Sequence, residues 1–417
     1  MLRNEIKKNK LIIIDLNSML DNTIADLVSL KKYGDLVFVY FGSIDFERKA
    51  FIEKNARLYE ISNYSVLFSE LSFNNDLVKI VEAQSTNSTE VFFITRDVNV
   101  LEQALNLQMK VIFLDVDIKD AIEDDFLFAA DYICNNVNSV EDIFTGRYGG
   151  HIAEAIAKGI DFDYGTYAEK TLDCNYGHKV LVLAAGRYYN KKTSQSTYDL
   201  LSARIIANKK NGSESNLFNE AYEMMLNKLD VDILLSVPPK PGRFNRFEKI
   251  VANLIGYAKC LDGTGSITCV KDYGNNKDRT KIERREALRG AFFMNDGWGN
   301  TIRGKNVVVI DDVLVTGSTI IEIANLLFAN GAKTVTVMVV AINQWKLNWK
   351  DSRFKPVKCG KCGSDMIVRI NSATHIPFWG CSKFSDGCRN SLSYDEGIKL
   401  LECQNAMKEI NVEDWDF

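Results

Sequence analysis

The stretch Val307-Val308-Val309-Ile310-Asp311-Asp312-Val313-Leu314-Val315-Thr316-Gly317-Ser318-Thr319 constrains this chain more than any other. Its β-branched run reads as a strand buried on both faces, the kind found in parallel sheets covered by helices. Residues 319–330 then read as a helix closed by Gly331. A strand, turn and helix in this order turn the free N–H groups and positive end of the helix toward a ligand, which suits a dianionic phosphate. Gly317 lets the backbone approach, and Thr316, Ser318 and Thr319 add hydroxyls. Asp311 and Asp312 fall where they could accept hydrogen bonds from vicinal ribose hydroxyls, directly or through Mg2+.

Four apolar residues, Asp311-Asp312, and then Thr316-Gly317-Ser318-Thr319 resemble the phosphoribosyl pyrophosphate (PRPP) signature of type I phosphoribosyltransferases. Upstream, a strand at 231–237 ends in Ser236-Val237-Pro238-Pro239-Lys240-Pro241-Gly242-Arg243, a loop stiffened by proline and carrying two cations. It corresponds in order to the pyrophosphate loop of that family. The run Arg243-Phe244-Asn245-Arg246, then Arg279-Thr280, then Arg285 and Leu288-Arg289-Gly290-Ala291-Phe292 resembles the ComF-like branch, with a shorter interval between Thr280 and Arg285. Glycines flank the charged segment 271–289, which reads as a lid able to exclude water.

The resemblance implies displacement at the anomeric carbon of PRPP by a nitrogen base, with Mg2+ as cofactor and pyrophosphate as leaving group. It makes Asp311 and Asp312 the catalytic pair. It assigns PRPP contacts to Val313, Thr316, Gly317, Ser318, Thr319, Lys240, Arg243, Arg279 and Arg285. The acceptor base is not legible.

Ahead of this region, strands expected at 10–15, 36–41, 91–95, 110–114 and 131–134 alternate with helices at 24–32, 46–59 and 98–105, which argues for a doubly wound parallel sheet. Asp15-Leu16-Asn17-Ser18 after the first strand, and Ile94-Thr95-Arg96-Asp97 later, resemble motifs of the haloacid dehalogenase (HAD) superfamily. The resemblance makes Asp15 the phosphoryl-accepting nucleophile, Ser43 the phosphate-binding hydroxyl and Asp97 the metal-binding acid, with Lys79 a weaker match. The usual second aspartate is Asn17, which cannot relay a proton, so hydrolysis would lack the roughly 10²- to 10⁴-fold that acid–base catalysis supplies. A phosphatase and a regulatory scaffold both remain open. His151 and His178 have no ligand or nucleophile at a recognisable spacing and read as packing residues.

Cys359-x2-Cys362 and Cys381-x6-Cys388 supply two paired thiolates, the donor set of a closed tetrahedral Zn2+ site. Phe378-Trp379-Gly380-Cys381-Ser382-Lys383-Phe384 and Cys388-Arg389 resemble the zinc ribbons of type IA DNA topoisomerases. Residues 346–392 hold nine Lys or Arg against three Asp, a local charge of +6 interleaved with aromatics. Trp379, Lys383, Phe384 and Arg389 are therefore candidates for stacking and phosphate contacts with single-stranded DNA or RNA, with protein docking the alternative.

With 417 residues and a net charge of −4, the chain should hold more than one domain, and any nucleic-acid contact must be local. No apolar run approaches a membrane span, no signal peptide is visible, and a cytoplasmic location is expected. The expected architecture is α/β: a HAD-like doubly wound domain at 1–145, a linker at 146–177, a type I phosphoribosyltransferase domain at 178–345, a zinc ribbon at 346–393, and a helix with an acidic tail at 394–417. The expected function is a Mg2+-dependent phosphoribosyltransferase; the alternative is a non-catalytic, PRPP-sensing regulator that binds DNA or RNA.

Overall fold

The computed structural model describes residues 10–17, 19, 21–41, 50–51, 53–54, 64–67, 77, 91–107, 109–114, 130–190, 195–274, 281–344 and 356–405. Two parallel sheets organise them. The first has the order β3-β2-β1-β4-β5-β6, from β1 (Leu11–Asp15), β2 (Asp35–Phe41), β3 (Tyr64–Leu67), β4 (Val91–Thr95), β5 (Lys110–Leu114) and β6 (Tyr132–Cys134). Every pairing in it is parallel.

Continuous apolar runs give this sheet two buried faces. Ile13, Val39, Phe93 and Val111 pack with Leu101 and Leu105 on one side. Ile14, Phe38, Ile94 and Ile112 pack with Ile24, Val140 and Phe144 on the other. Alternate residues of each strand thus supply alternate layers, and helices cover both. A helix at Val137–Thr145, unexpected from the sequence, closes the second layer; Asn136 caps it by accepting from the Ser139 N–H, and Gly146 ends it at φ 77°. The helix expected at 46–59 falls almost wholly outside the described residues.

The second sheet has the order β13-β12-β16-β17-β10-β9. Its strands are β9 (Ala168–Asp173), β10 (Lys179–Ala184), β12 (Ile233–Ser236), β13 (Leu261–Asp262), β16 (Asn306–Leu314) and β17 (Thr334–Asn343), with β11 (Arg187–Tyr188) added alongside β17. All pair in parallel except β9, which runs antiparallel to β10. The Ser318–Ala329 helix covers one face through Ile320, Ile323 and Leu327. Helices Leu200–Asn211, Ser215–Leu226 and Glu248–Ala258 cover the other.

Residues 146–177 are not a linker. They form β7 (Tyr148–His151), a helix at Ile152–Lys158, β8 (Tyr164–Thr166) and β9, the edge of the second sheet. Ile152, Ala153 and Ala157 join the helical layer of that sheet, so the segment is buried because its apolar side chains complete a core. His151 is buried, with Nε2 3.1 Å from the Ala130 carbonyl, and His178 stacks on Phe328 at 4.4 Å; both are packing residues.

A buried ion pair joins this segment to both sheets. Arg187 Nε and Nη2 donate to the two oxygens of Glu154 at 2.7 and 2.8 Å, and Arg187 Nη1 donates to the Ala130 carbonyl at 3.2 Å. Asp131, which leads into β6, lies 3.5 Å from Arg187. Burial alone would raise the Glu154 carboxyl, but the guanidinium overrides it and holds the group at about 2. A carboxyl depressed in this way stabilises fully above its unfolded pKa of about 4.3, and the contribution fades as pH falls toward the folded value. Glu154→Gln, which strands a buried guanidinium, is therefore expected to cost about 3–5 kcal/mol at pH 7 in urea unfolding, with the gap to wild type narrowing below about pH 4.

Candidate active site and metal centre

β16 carries its buried run through both acids as far as Leu314, with Asp311 in register with Val339 and Val313 with Ala341. Asp312 is 4% exposed, so its charge needs a partner inside the fold. Arg246 supplies it: Nη2 bonds Asp312 Oδ2 and lies 3.7 Å from Asp311 Oδ1. Lys209, near the end of the Leu200–Asn211 helix, brings Nζ to 3.5 Å from Asp312 Oδ1. Asp311 Oδ1 accepts the Asp312 backbone N–H at 2.9 Å, and the buried Tyr222 hydroxyl donates to the Asp311 carbonyl at 2.6 Å. Burial and the neighbouring Asp312 charge push the Asp311 carboxyl up to about 7, against the pull of Arg246.

Past the acids the chain turns through Gly317, which has φ 73° and stands as the N-cap of the Ser318–Ala329 helix without a side-chain acceptor. The backbone angle calls for glycine, and a Cβ there would also come within 2.6 Å of Leu172 Cδ1, which would have to move. Ser318 is buried, Thr316 and Thr319 are half-buried, and the Thr316 and Ser318 hydroxyls lie 3.1 Å apart. The turn therefore keeps an uncapped helix N-terminus next to hydroxyls and the acid pair. Val313, expected among the ligand contacts, instead packs its side chain into the helical layer at 7% exposure, because the strand continues through it.

The proline loop leaves β12 beside β16, where the Val237 N–H donates to the Ile310 carbonyl at 3.0 Å. Lys240 donates to the Gly274 carbonyl at 2.6 Å, lies 3.3 Å from Asp272 and sits 4.1 Å from the Tyr273 ring centre. Burial pushes the Tyr273 phenol up to about 12. Residues 272–274 are thus held against the proline loop by Lys240. Arg243 is exposed on the loop. Arg279 lies outside the described residues, and Arg285 lies in the helix Lys281–Leu288 with its side chain outside them.

Arg246 and Lys209 were not among the expected site residues. Arg246 stood in the quoted run 243–246 without a role, and nothing in the sequence pointed to Lys209.

In the first sheet, Asp15 is fully buried at the end of β1. It accepts from Thr95 Oγ1 at 2.8 Å and from the Asn17 N–H at 3.0 Å, while Thr95 Oγ1 accepts the Asp97 N–H at 2.9 Å. β1 and β4 are the neighbours at which the strand order reverses, the place where open α/β sheets bind ligands. Asp15, Asn17 and Asp97 are thereby gathered at one sheet end; Ser43 and Lys79 lie outside the described residues.

The four clustered cysteines converge, their sulfurs all within 4.8 Å of one another. Cys359 and Cys388 sulfurs are 3.7 Å apart and those of Cys362 and Cys381 are 3.4 Å apart, against about 3.8 Å for four thiolates at a tetrahedral Zn2+. The site can hold a metal of that kind. Asn390 Nδ2 donates to Cys359 Sγ at 3.4 Å. Against its burial, the backbone amides of Lys361 and Cys362 bring the Cys359 thiol down to about 6.

The strands that present these thiols, β18 (Met366–Ile370), β19 (Pro377–Cys381) and β20 (Ser391–Ser393), form an antiparallel sheet followed by the helix Tyr394–Asn405. Val357, Met366, Val368, Trp379 and Leu401 belong to the same core as Leu201, Ile205 and Phe218 of the second sheet's helices. Trp379 is wholly buried and its Nε1 donates to the Tyr394 carbonyl at 3.1 Å, so it is a core residue and offers no face for a base. Phe384 is 42% exposed with the Arg389 guanidinium 4.0 Å from its ring centre, and Lys383 is exposed beside it.

With this geometry in hand, comparison with known proteins is specific for one part of the chain. Residues 299–375, spanning β16, the turn, the following helix, β17 and part of the ribbon, match the family model of the phosphoribosyl transferase domain. That region is thus similar to a phosphoribosyl transferase domain. It is 32% identical over 111 residues to the DNA utilization protein YhgH of Escherichia coli O157:H7, covering 25% of this chain and 47% of that protein, and equally to the YhgH of Salmonella typhi. The chain spans about half the length of the curated relatives it matches. Among solved structures, UMP synthase of Leishmania donovani aligns over 82% of this chain and 75% of that one at 12% identity, with a TM-score of 0.22, too low to carry an argument. No helix among the described residues is long and apolar enough to cross a membrane.

Because the thiolate knuckles share a core with the Leu200–Asn211 helix, metal loss should reach the second sheet. Chelation, or Cys381→Ser, is expected to lower the calorimetric unfolding midpoint of the domain carrying β16 in one cooperative step; an unchanged main transition with a separate ribbon transition would contradict the shared core.

Proposed function

We propose that the protein is a phosphoribosyltransferase that uses PRPP. The observation that carries the reading is the β16–Gly317–helix turn, in which two acids, three hydroxyls and an uncapped helix N-terminus meet inside the region matched by the family model. In this reading the helix N-terminus and the hydroxyls of Thr316, Ser318 and Thr319 hold the 5-phosphate. Asp311 and Asp312 fix the ribose hydroxyls, Lys240, Arg243, Arg279 and Arg285 receive the pyrophosphate, and the segment 271–289 excludes water. The protein's contribution is positioning and charge stabilisation. Magnesium, when bound, supplies neutralisation of the pyrophosphate charge. The acid pair already has two organic cations beside it, so no step is assigned to an ion on Asp311 or Asp312.

The four thiolates hold Zn2+ in a structural role, and the exposed Lys383, Phe384 and Arg389 provide the contact for single-stranded nucleic acid. The first sheet is a HAD-like unit with Asp15, Asn17 and Asp97 at its ligand end; with no acid–base partner at Asn17 it binds a phosphorylated compound more readily than it hydrolyses one. A second reading, a PRPP-sensing regulator acting on nucleic acid, is favoured by the same exposed knuckle and by the name that the YhgH relatives carry.

Following pyrophosphate and phosphate release separately, with PRPP, Mg2+ and mixtures of nucleobases, distinguishes these readings. The transferase reading expects base-dependent pyrophosphate release, lowered at least about a hundredfold in an Asp311→Asn, Asp312→Asn variant. PRPP binding without release under any base mixture would leave only the sensor.

A further inference from the structure

The cations on the acid pair point to a mechanism of ligand selection. Arg246 stands on the turn between the proline loop and the Glu248–Ala258 helix, where buried Phe247 anchors it: the Phe247 N–H donates to Asn245 Oδ1 at 3.0 Å, and the Arg246 guanidinium lies 5.1 Å from the Phe247 ring centre. From there one nitrogen, Nη2, serves both carboxylates, while Lys209 serves Asp312 from the other side. Two carboxylic groups and two cations are thus packed together, and the Arg246 and Lys209 side chains are about a third exposed, at 33% and 37%. Arg246 Nε is buried without an acceptor among the described residues, so the guanidinium is not fully satisfied where it sits.

We infer that Arg246 is an exchangeable plug: in the ligand-free protein it occupies the cation position of Asp311 and Asp312, and it moves to a phosphate oxygen when a ribosyl pyrophosphate arrives. The inference rests on the PRPP reading for the ligand, but the plug itself does not. A bare divalent ion approaching the pair would meet two positive charges already within about 4 Å of the carboxylates, which cancels its attraction. A ligand carrying a pyrophosphate offers the guanidinium an acceptor of matching fork geometry, so the carboxylates become free for ribose hydroxyls only when the leaving group is present. Arg246 is in this sense a positioning and specificity residue. It makes the acid pair respond to PRPP and ignore both ribose 5-phosphate and free metal.

Calorimetric titration of the full chain with MnCl2 tests the plug without any nucleotide. Wild type and the Asp311→Asn, Asp312→Asn variant are expected to bind the same number of ions. Arg246→Gln should gain one ion, lost again when the two Asn substitutions are added, whereas Arg246→Lys, which keeps the charge, should gain none. A second titration with PRPP and with ribose 5-phosphate should show the preference of wild type for PRPP reduced roughly ten- to a hundredfold in Arg246→Gln, and by less in Arg246→Lys, which keeps the charge but loses the fork. Loss of an ion from wild type on the double Asn substitution would overturn the plug, and that comparison needs no arginine variant to fold. So would an Arg246→Gln protein that keeps its unfolding midpoint and gains no ion. Failure of wild type to bind PRPP would instead remove the transferase reading and leave the manganese comparison to decide the plug.

Discussion

Placing two consecutive carboxylates inside a buried β-strand is the constraint to which the rest of the second sheet answers. β16 could have ended before Asp311; it continues to Leu314, and Asp312 is almost completely enclosed. An isolated buried carboxylate would cost several kcal/mol, so cations must be brought to it. They come from two elements remote in sequence, the helix whose last turn carries Lys209 and the turn after the proline loop. The Tyr222 hydroxyl, from a third helix, ties the strand backbone at Asp311 in place. The acid pair is therefore a point where three helices and the central strand are held in register, and the helix N-terminus at Gly317 is positioned by the same strand.

This dependence explains why the flanking segments are folded into the domain rather than appended to it. The Leu200–Asn211 helix that presents Lys209 is packed on one side by the Ile152–Lys158 helix and on the other by β18 of the ribbon, all within one apolar cluster. Arg204 of that helix pairs with Glu214 at 2.7 Å, and Glu214 lies 3.4 Å from His375 on the ribbon hairpin. The connecting segment and the cysteine module thus buttress the helix that neutralises Asp312. Arg187 and Glu154 extend the same scaffold to the first sheet.

The sequence revealed what is local and continuous. The runs 11–14, 91–94, 111–114 and 307–310 are apolar on both faces, and such a run has few alternatives to a central parallel strand. The cysteine spacing carried its convergence for a similar reason: two short knuckles leave little freedom. What was missed is short, half-exposed or long-range. β3, β7 and β8 hold three or four residues each, and β9 exposes Glu169, Thr171 and Asp173 at alternate positions, so a glycine-punctuated stretch read as a linker. Trp379 looked like a stacking residue because aromatic and basic residues interleave around it; only the fold shows that the small sheet uses it as its core. Arg246 lies 66 residues from Asp312 in the chain, and no periodicity encodes a contact of that kind.

In the proposed function, the turn at 316–320 receives the phosphate of a ribosyl ligand. Amide hydrogen exchange, read residue by residue with and without saturating PRPP, tests it at the atoms concerned. Binding at the turn predicts slowed exchange concentrated at the N–H groups of 316–320, reduced or absent when Gly317 is replaced by alanine. Protection that spares those amides and appears instead at the end of β1 and β4 would show that the ligand belongs to the first sheet, and would contradict the assignment of the acid pair and its arginine to PRPP.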